Sequence, residues 1–307
     1  MEFIRGIHNI KPEHRGSVLT IGNFDGVHRG HRSVIEGAIN KAKALNVPTT
    51  VMLFEPQPME LFLKDKAPAR LYRLRDKYLQ LSRLGVDRLL CVKFDHRFAA
   101  IEAMDFIKQL LVEKLAIRHL IVGDDFCFGK NRHGDFDMLV AAGKQFGFGV
   151  TDTQSYRLSD CRISSTAIRK AIFAADFKEA ELMLGHPFSI SGTVSHGEKR
   201  GRDLGFPTAN VPLSRKVSPV RGVYVVSANI QDKVYQGVAN IGVKPTLDGQ
   251  VQQLEVHLFA FSGDIYGQQI EVILHHKLRD EQKFASLDAL KAQIAEDVAQ
   301  AKNYFLL

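Results

Sequence analysis

His28 and His31 stand three positions apart in residues 22–32, GNFDGVHRGHR, a spacing that puts both imidazoles on one face of a helix. A strand-like apolar run, 17–21, ends in Gly22 and passes through Asn23, Phe24, Asp25 and Gly26. It then opens a helix in which Val34, Ile35, Ala38, Ile39, Ala42 and Leu45 recur with a 3.6-residue period. Unpaired backbone N–H groups and the positive dipole end favour an anion at such a helix start. Two imidazoles there can hydrogen-bond phosphate oxygens as charge builds on them; read alone, they could equally be exposed capping residues. The loop is neither a GxxxxGK[ST] nor a GxGxxG motif.

Three further groups can do chemistry. In 163–169, ISSTAIR, the hydroxyls of Ser164, Ser165 and Thr166 precede an apolar helical run, and Arg169 can grip phosphate bidentately. By themselves they read as a plain helix cap. In 201–210, GRDLGFPTAN, Gly205 and Pro207 fix a turn, after which Thr208 and Asn210 alternate onto one strand face. Such oxygen ligands suit Mg²⁺, which shares its shell with water and substrate phosphates. In LEVHLF, Leu254, Val256 and Leu258 form an apolar face and leave Glu255 and His257 on the other. A carboxylate there is a general base if that face lines a groove, and a solvated side chain if it does not.

The elements that carry these residues follow two patterns. Strand-like runs at 48–54, 88–94, 119–123 and 149–153 alternate with helical periods at 69–84, 101–115 and 135–146, with Gly85 as a C-cap. This predicts an α/β fold with a Rossmann-like parallel sheet and ligands beyond its carboxyl edge, where 22–26, 55–58 and 124–128 line up. Residues 162–185 read as two short helices stopped by Gly185. Six runs then follow without helices between them, at 188–194, 208–211, 222–230, 233–241, 254–261 and 269–278, with a turn at Gln231 and Asp232. They predict a six-stranded antiparallel β-barrel, closed by an amphipathic helix over 286–302 through Leu287, Leu290, Ile294 and Val298. The boundary falls at residue 185, giving domains 1–185 and 186–307.

A chain of 307 residues is comfortable for two domains, and 45% hydrophobic with 24% charged residues is an ordinary globular composition. The net charge of +7 fits a site that collects polyphosphate anions. With no Lys/Arg run of five and no aromatic-basic array, no nucleic-acid partner is expected. Cys91, Cys127 and Cys161 form no CxxC and indicate neither a disulfide framework nor zinc. Charges sit where a signal peptide needs an apolar core, and no run reaches membrane length, so the expectation is a cytoplasmic protein, a monomer or weak homo-oligomer, with no membrane partner.

GNFDGVHRGH resembles the HxGH signature of class I nucleotidyltransferases, in the extended form that opens the prokaryotic bifunctional riboflavin kinase/FAD synthetase family. Motifs in both halves resemble that family in order. The resemblance implies ATP contacts from Gly22, Asn23, Phe24, Asp25, His28, His31, Ser164, Ser165, Thr166 and Arg169. Residues 53–58, LFEPQP, match a position where the family often has Phe-Asp-Pro-His-Pro; Gln57 replaces the imidazole and keeps only a positioning role. Residues 122–129, VGDDFCFG, resemble a flavin motif and imply contacts from Asp125, where an Asn is common, and from Phe126 and Phe128, against bland readings as a loop acid and core rings.

GRDLGFPTAN resembles the flavokinase signature, and 195–197, SHG, with Arg202 resembles its nucleotide loop. ATP contacts from Gly197, Arg202, Gly205, Pro207, Thr208 and Asn210 are implied, with Mg²⁺ at Thr208 and Asn210 and Glu255 as base. Arg279, Glu281 and Phe284 match the flavin-covering segment, and 239–246, ANIGVKPT, matches scaffold and nucleotide contacts. The expected reactions convert riboflavin and ATP to FMN, then FMN and ATP to FAD and pyrophosphate. The rival readings are another phosphorylated acceptor such as phosphopantetheine, a nucleic-acid-binding barrel, and a tRNA-charging enzyme, which would need the KMSKS that this chain lacks.

Overall fold

The computed structural model describes residues 1–123, 125–153, 157–158, 161–197, 200–213, 217–231, 233–246 and 249–307. Asp124 and Asp232, and with Asp232 half of the expected turn, lie outside the described residues. The chain forms two compact units, Met1–Pro68 with Tyr72–Ser165, and Ala69–Leu71 with Thr166–Leu307.

The first unit runs β1 (Glu2–Arg5), β2 (Val18–Ile21), α1 (Arg29–Leu45), β3 (Thr49–Glu55), α2 (Pro58–Leu63), α3 (Leu74–Arg83), β4 (Arg88–Lys93), α4 (His96–Ala99), α5 (Ala103–Asp105), β5 (His119–Gly123), α6 (Phe136–Phe146) and β6 (Gly149–Thr153), with a short β7 (Arg157–Leu158) and β8 (Cys161–Arg162). Its six-stranded sheet has the order β1-β4-β3-β2-β5-β6 and every pair is parallel. The order reverses at β2, so its carboxyl end is the switch point where an open α/β sheet takes its ligand. Successive strand residues pack on opposite faces. Leu19, Met52, Leu90 and Leu120 join Ile107 and Leu111 in one cluster, while Val51, Leu53 and Leu89 join Ile35 and Leu81 in another.

Three differences from the sequence reading have local causes. β1 was not anticipated; it pairs in parallel with β4 as an edge strand. The helix expected from 69 begins at Leu74, because the Asp76 carboxylate accepts the Arg73 N–H and fixes the start there. The helix expected over 101–115 is α-helical only over Ala103–Asp105 and continues as a π-helix over Phe106–Lys114, the wider winding still burying Phe106, Ile107, Leu110 and Leu111.

The second unit contains most of α7 (Ser165–Phe173), then α8 (Phe177–Leu184), β9 (Ser189–Thr193), α9 (Arg200–Asp203), β10 (Ala209–Pro212), β11 (Gly222–Ile230), β12 (Lys233–Thr246), β13 (Gly249–Leu258), β14 (Gln269–Arg279) and α10 (Leu287–Tyr304). The strands form one antiparallel sheet in the order β10-β13-β12-β11-β14-β9. A bridge between Ser195 and Asn210, with Ser195 N–H donating to the Asn210 carbonyl at 2.8 Å, brings the sheet's two edges together into a near-barrel. Close approach there requires Gly192, since a Cβ would lie 2.2 Å from Val211 Cγ1. Val298 and Ala301 of α10 and Phe305 at its C-cap pack on Val223, Val225, Val238 and Phe259. Leu287, expected on the packed stripe, is 71% exposed, because α10 only begins there, just after its Ser286 cap.

Candidate active sites

At the carboxyl end of β2 the chain folds into a tight turn in which two buried non-glycine residues, Phe24 (φ 46°) and Val27 (φ 42°), take left-handed backbone. Such positions persist only where the surroundings over-determine them. Asp25 supplies part of that constraint. It is buried, its Oδ1 accepts the Tyr72 N–H at 2.9 Å, and its carbonyl accepts the Ser165 hydroxyl at 2.9 Å. The HxGH loop and the Ser-Ser-Thr motif, 140 residues apart in sequence, are thus tied together. Asp25 holds the turn, and its carboxylate faces the Tyr72 backbone.

His28 is the N-cap of α1 rather than part of its first turn: its Nδ1 accepts the His31 N–H at 3.2 Å. A cap of this kind is worth about 1 kcal/mol. Using Nδ1 as acceptor leaves the ring proton on Nε2 as a donor. The two rings stack, with centroids 3.6 Å apart and planes at 14°, and the edge of Phe24 meets His31 at 5.3 Å. His31 Nδ1 is sealed from solvent and has no hydrogen-bond partner among the described residues. Burial, then the neighbouring His28 and Lys77, hold the His31 pKa well below the usual 6.5, so the ring is neutral at pH 7.

Ser164 and Ser165 lie in this unit; Thr166 and Arg169 belong to the other. The Arg169 Nε donates to the Ala69 carbonyl at 2.6 Å, so a backbone contact fixes its guanidinium. Gln57 caps α2, is buried, and has an Nε2 sealed without a partner among the described residues. Asp125 is exposed. Phe128 is buried between Phe126 (5.7 Å, stacked) and Phe106 (5.4 Å). The rings continue through Phe98, Phe54 and Phe94 to Phe62, which is 60% exposed. Only Phe126 and Phe128 are neighbours in sequence; the other rings come from separate elements and converge only in the fold.

The second unit holds a cavity of about 350 Å³. Glu255 on β13 lines it between its two direct cross-strand partners, Asn210 on β10 and Asn240 on β12. Thr208, His257, Arg279, Glu281 and Phe284 line it as well, whereas Leu254, Val256 and Leu258 are buried on the opposite face. The alternation read from the sequence therefore holds. Asn240 was not singled out, because only the register shows that it faces Glu255.

The turn is built closely around these groups. Gly205 has φ +88°. His257 Nδ1–H donates to the Pro207 carbonyl at 2.9 Å. A Cβ on Gly197 would lie 2.4 Å from the Asn210 amide nitrogen, and one on Gly201 would lie 3.2 Å from Thr208 Oγ1. Neutral oxygens beside one carboxylate, kept clear by glycines, fit Mg²⁺ bound jointly with phosphate. Arg202 is exposed and contributes its carbonyl, which accepts the Gly205 N–H.

At the end of β14, Arg279 makes a two-pronged ion pair with buried Asp297, at 2.9 and 2.7 Å, and lies 5.7 Å over the Phe284 ring. Asp297, from α10, was not anticipated. Glu281 pairs with Arg221 and presses on Gly242, where a Cβ would collide with its carboxylate.

Two family models match the chain: FAD synthetase over residues 10–167 and riboflavin kinase over residues 184–305. A bifunctional riboflavin kinase/FMN adenylyltransferase of Escherichia coli (strain K12) is 55% identical across 99% of this chain and 98% of its own length. The chain belongs to this family. A bifunctional riboflavin kinase/FMN adenylyltransferase of Haemophilus influenzae is 51% identical over 99% of each chain. A crystal structure described as a macrolide-efflux protein from Streptococcus pneumoniae superposes with a TM-score of 0.80 at 31% identity over 97% of both chains. Among the described residues of this chain, no helix is long and apolar enough to cross a membrane. As a riboflavin kinase and FMN adenylyltransferase, the chain carries its riboflavin kinase match wholly within the second unit, around the cavity, and its FAD synthetase match almost wholly within the first.

Proposed function

We propose that the two reactions use separate residue sets. In the kinase half, riboflavin enters the cavity with its ribityl hydroxyl toward Glu255. The hydroxyl oxygen attacks the γ-phosphorus of ATP, its proton passes to Glu255, and ADP leaves. General-base help of this kind contributes roughly 10²- to 10⁴-fold. Asn210 and Asn240 flank the carboxylate, and Thr208 and Asn210 would hold Mg²⁺. That ion, when bound, supplies neutralisation of phosphate charge. Gly197, Arg202, Gly205 and Pro207 shape the ATP side, and Arg279, Glu281 and Phe284 cover the flavin.

In the adenylyltransferase half, an FMN phosphate oxygen attacks the α-phosphorus of ATP and pyrophosphate departs. His28 and His31 donate to the phosphate oxygens; Gly22, Asn23, Phe24 and Asp25 form the turn that presents them. Ser164 and Ser165 complete the phosphate contacts within this unit. Asp125, Phe126 and Phe128 contact the flavin, with Gln57 as a neutral donor. Positioning and electrostatics are the whole of the catalysis required.

The observation that carries this reading is the Asn210–Glu255–Asn240 row facing one cavity. The same reading divides the domains at residue 185, takes only small molecules as partners, and places a monomer or weak homo-oligomer in the cytoplasm. The test follows flavins over time in the purified chain with riboflavin, ATP and Mg²⁺. FMN should appear first and then convert to FAD, and chelating the cation should stop the first step. FMN formation undiminished by chelation would remove the metal from the account.

A further inference from the structure

Lys77, on α3, is among the largest fully buried side chains of the described residues, at 0% exposed. Lysine is almost never buried unless paired, since desolvating an ammonium costs several kcal/mol. A leucine or methionine would pack that helix face at no such cost, so the charge calls for a specific explanation. Its Nζ donates to the Asn23 carbonyl at 2.8 Å. Two residues along the same turn, the Asp25 carboxylate accepts the Tyr72 N–H, from just before the same helix. Residues 72–77 therefore grip the turn on both sides of Phe24, the residue held at φ 46°. That turn leads directly into the His28 cap and the stacked His31 ring.

We propose that Lys77 is a positioning residue of the adenylyl-transfer site: it fixes the turn that presents His28 and His31 and sets a buried positive charge beneath the end of α1 that receives phosphate. This rests on the reading that both histidines contact the ATP phosphates. The charged and titratable groups around His31 agree with it. His28 faces it from its own helix and Lys77 from α3. The Asp25 carboxylate is turned to the Tyr72 N–H, and the Asp76 carboxylate to Arg73, 3.5 Å away. A positive charge there disfavours a protonated His31. His31 is thereby kept neutral.

The experiment uses the full chain as Lys77→Met, Lys77→Gln and His31→Ala. It measures FAD formation from FMN and ATP, with FMN formation from riboflavin as a check of folding. Lys77→Met should lower kcat about 10²-fold with little change in the KM for FMN. It should also move the acid limb of the pH–rate profile upward, because His31 then protonates more easily. Lys77→Gln keeps a donor for Asn23 without the charge, so it should show the same shift of the limb with a smaller loss of kcat, and it serves if the methionine variant does not fold. A wild-type kcat in Lys77→Met, or a limb unmoved in a variant whose kinase rate is intact, would overturn the proposal. If His31→Ala still forms FAD at the wild-type rate, the reading of the histidines falls and takes the proposal with it. An inactive His31→Ala beside a fully active Lys77→Met would overturn the proposal alone.

Discussion

Asn240 and Glu255 sit directly opposite each other on β12 and β13, and both face the cavity of the second unit. An amide beside a carboxylate can orient it by donating one hydrogen bond while leaving its other oxygen for the substrate hydroxyl. Register fixes this pairing, so a slip of one residue would turn both side chains away.

Asn240→Ala should therefore lower the kcat of riboflavin phosphorylation by roughly 10²-fold, the loss expected for one preorganised donor. FAD formation from supplied FMN should be unchanged. Steady-state kinetics of the two reactions on one preparation check this, and equal losses in both would count against a local role.

Gly197→Ala places a methyl group 2.4 Å from the Asn210 amide nitrogen, well inside contact distance. Asn210 must shift, and a misplacement of about 1 Å can cost roughly 10²-fold. The kinase reaction should fall by about that factor, and added Mg²⁺ should recover part of it. A fully active variant would show that Asn210 has room to move without consequence for the reaction.

Among the described residues, His31, His119 and His275 are held below the ordinary value of 6.5, with burial as the leading cause. For each, the unfolded chain binds the proton more readily than the folded one. Their contribution to stability is complete above pH 6.5 and is lost as pH falls below it. Thermal unfolding should give a lower Tm at pH 5.5 than at pH 7.5, with a smaller difference in His119→Gln. An equal or higher Tm at pH 5.5 would show that these sites do not govern acid stability.

Much of this architecture was legible in the sequence because its signals are local. The strands β2 to β5 carry apolar runs, α8 stops at Gly185, and the alternation around Glu255 survives in the cavity wall. What escaped depends on tertiary context. β1 is four residues long, and only one of them is buried. The π-helix buries the same Phe106, Ile107, Leu110 and Leu111 that an α-helix would, so periodicity does not distinguish the two. Lys77 reads as a solvated position on an amphipathic helix until the turn of residues 22–26 folds over it. Asn240 and Asp297 acquire meaning only from the strand and the arginine that they face. His28 was identified by type and spacing, but its place as the cap depends on backbone dihedrals that no spacing reveals.

The two proposed residue sets make adenylyl transfer and phosphorylation separable in one chain. The most direct test compares His28→Ala and Glu255→Ala, following FMN and FAD by chromatography from riboflavin and, separately, from FMN. His28→Ala should accumulate FMN without forming FAD. Glu255→Ala should leave riboflavin unconverted yet turn supplied FMN into FAD at the wild-type rate. Loss of both activities in His28→Ala, or undiminished FMN formation in Glu255→Ala, would contradict the account.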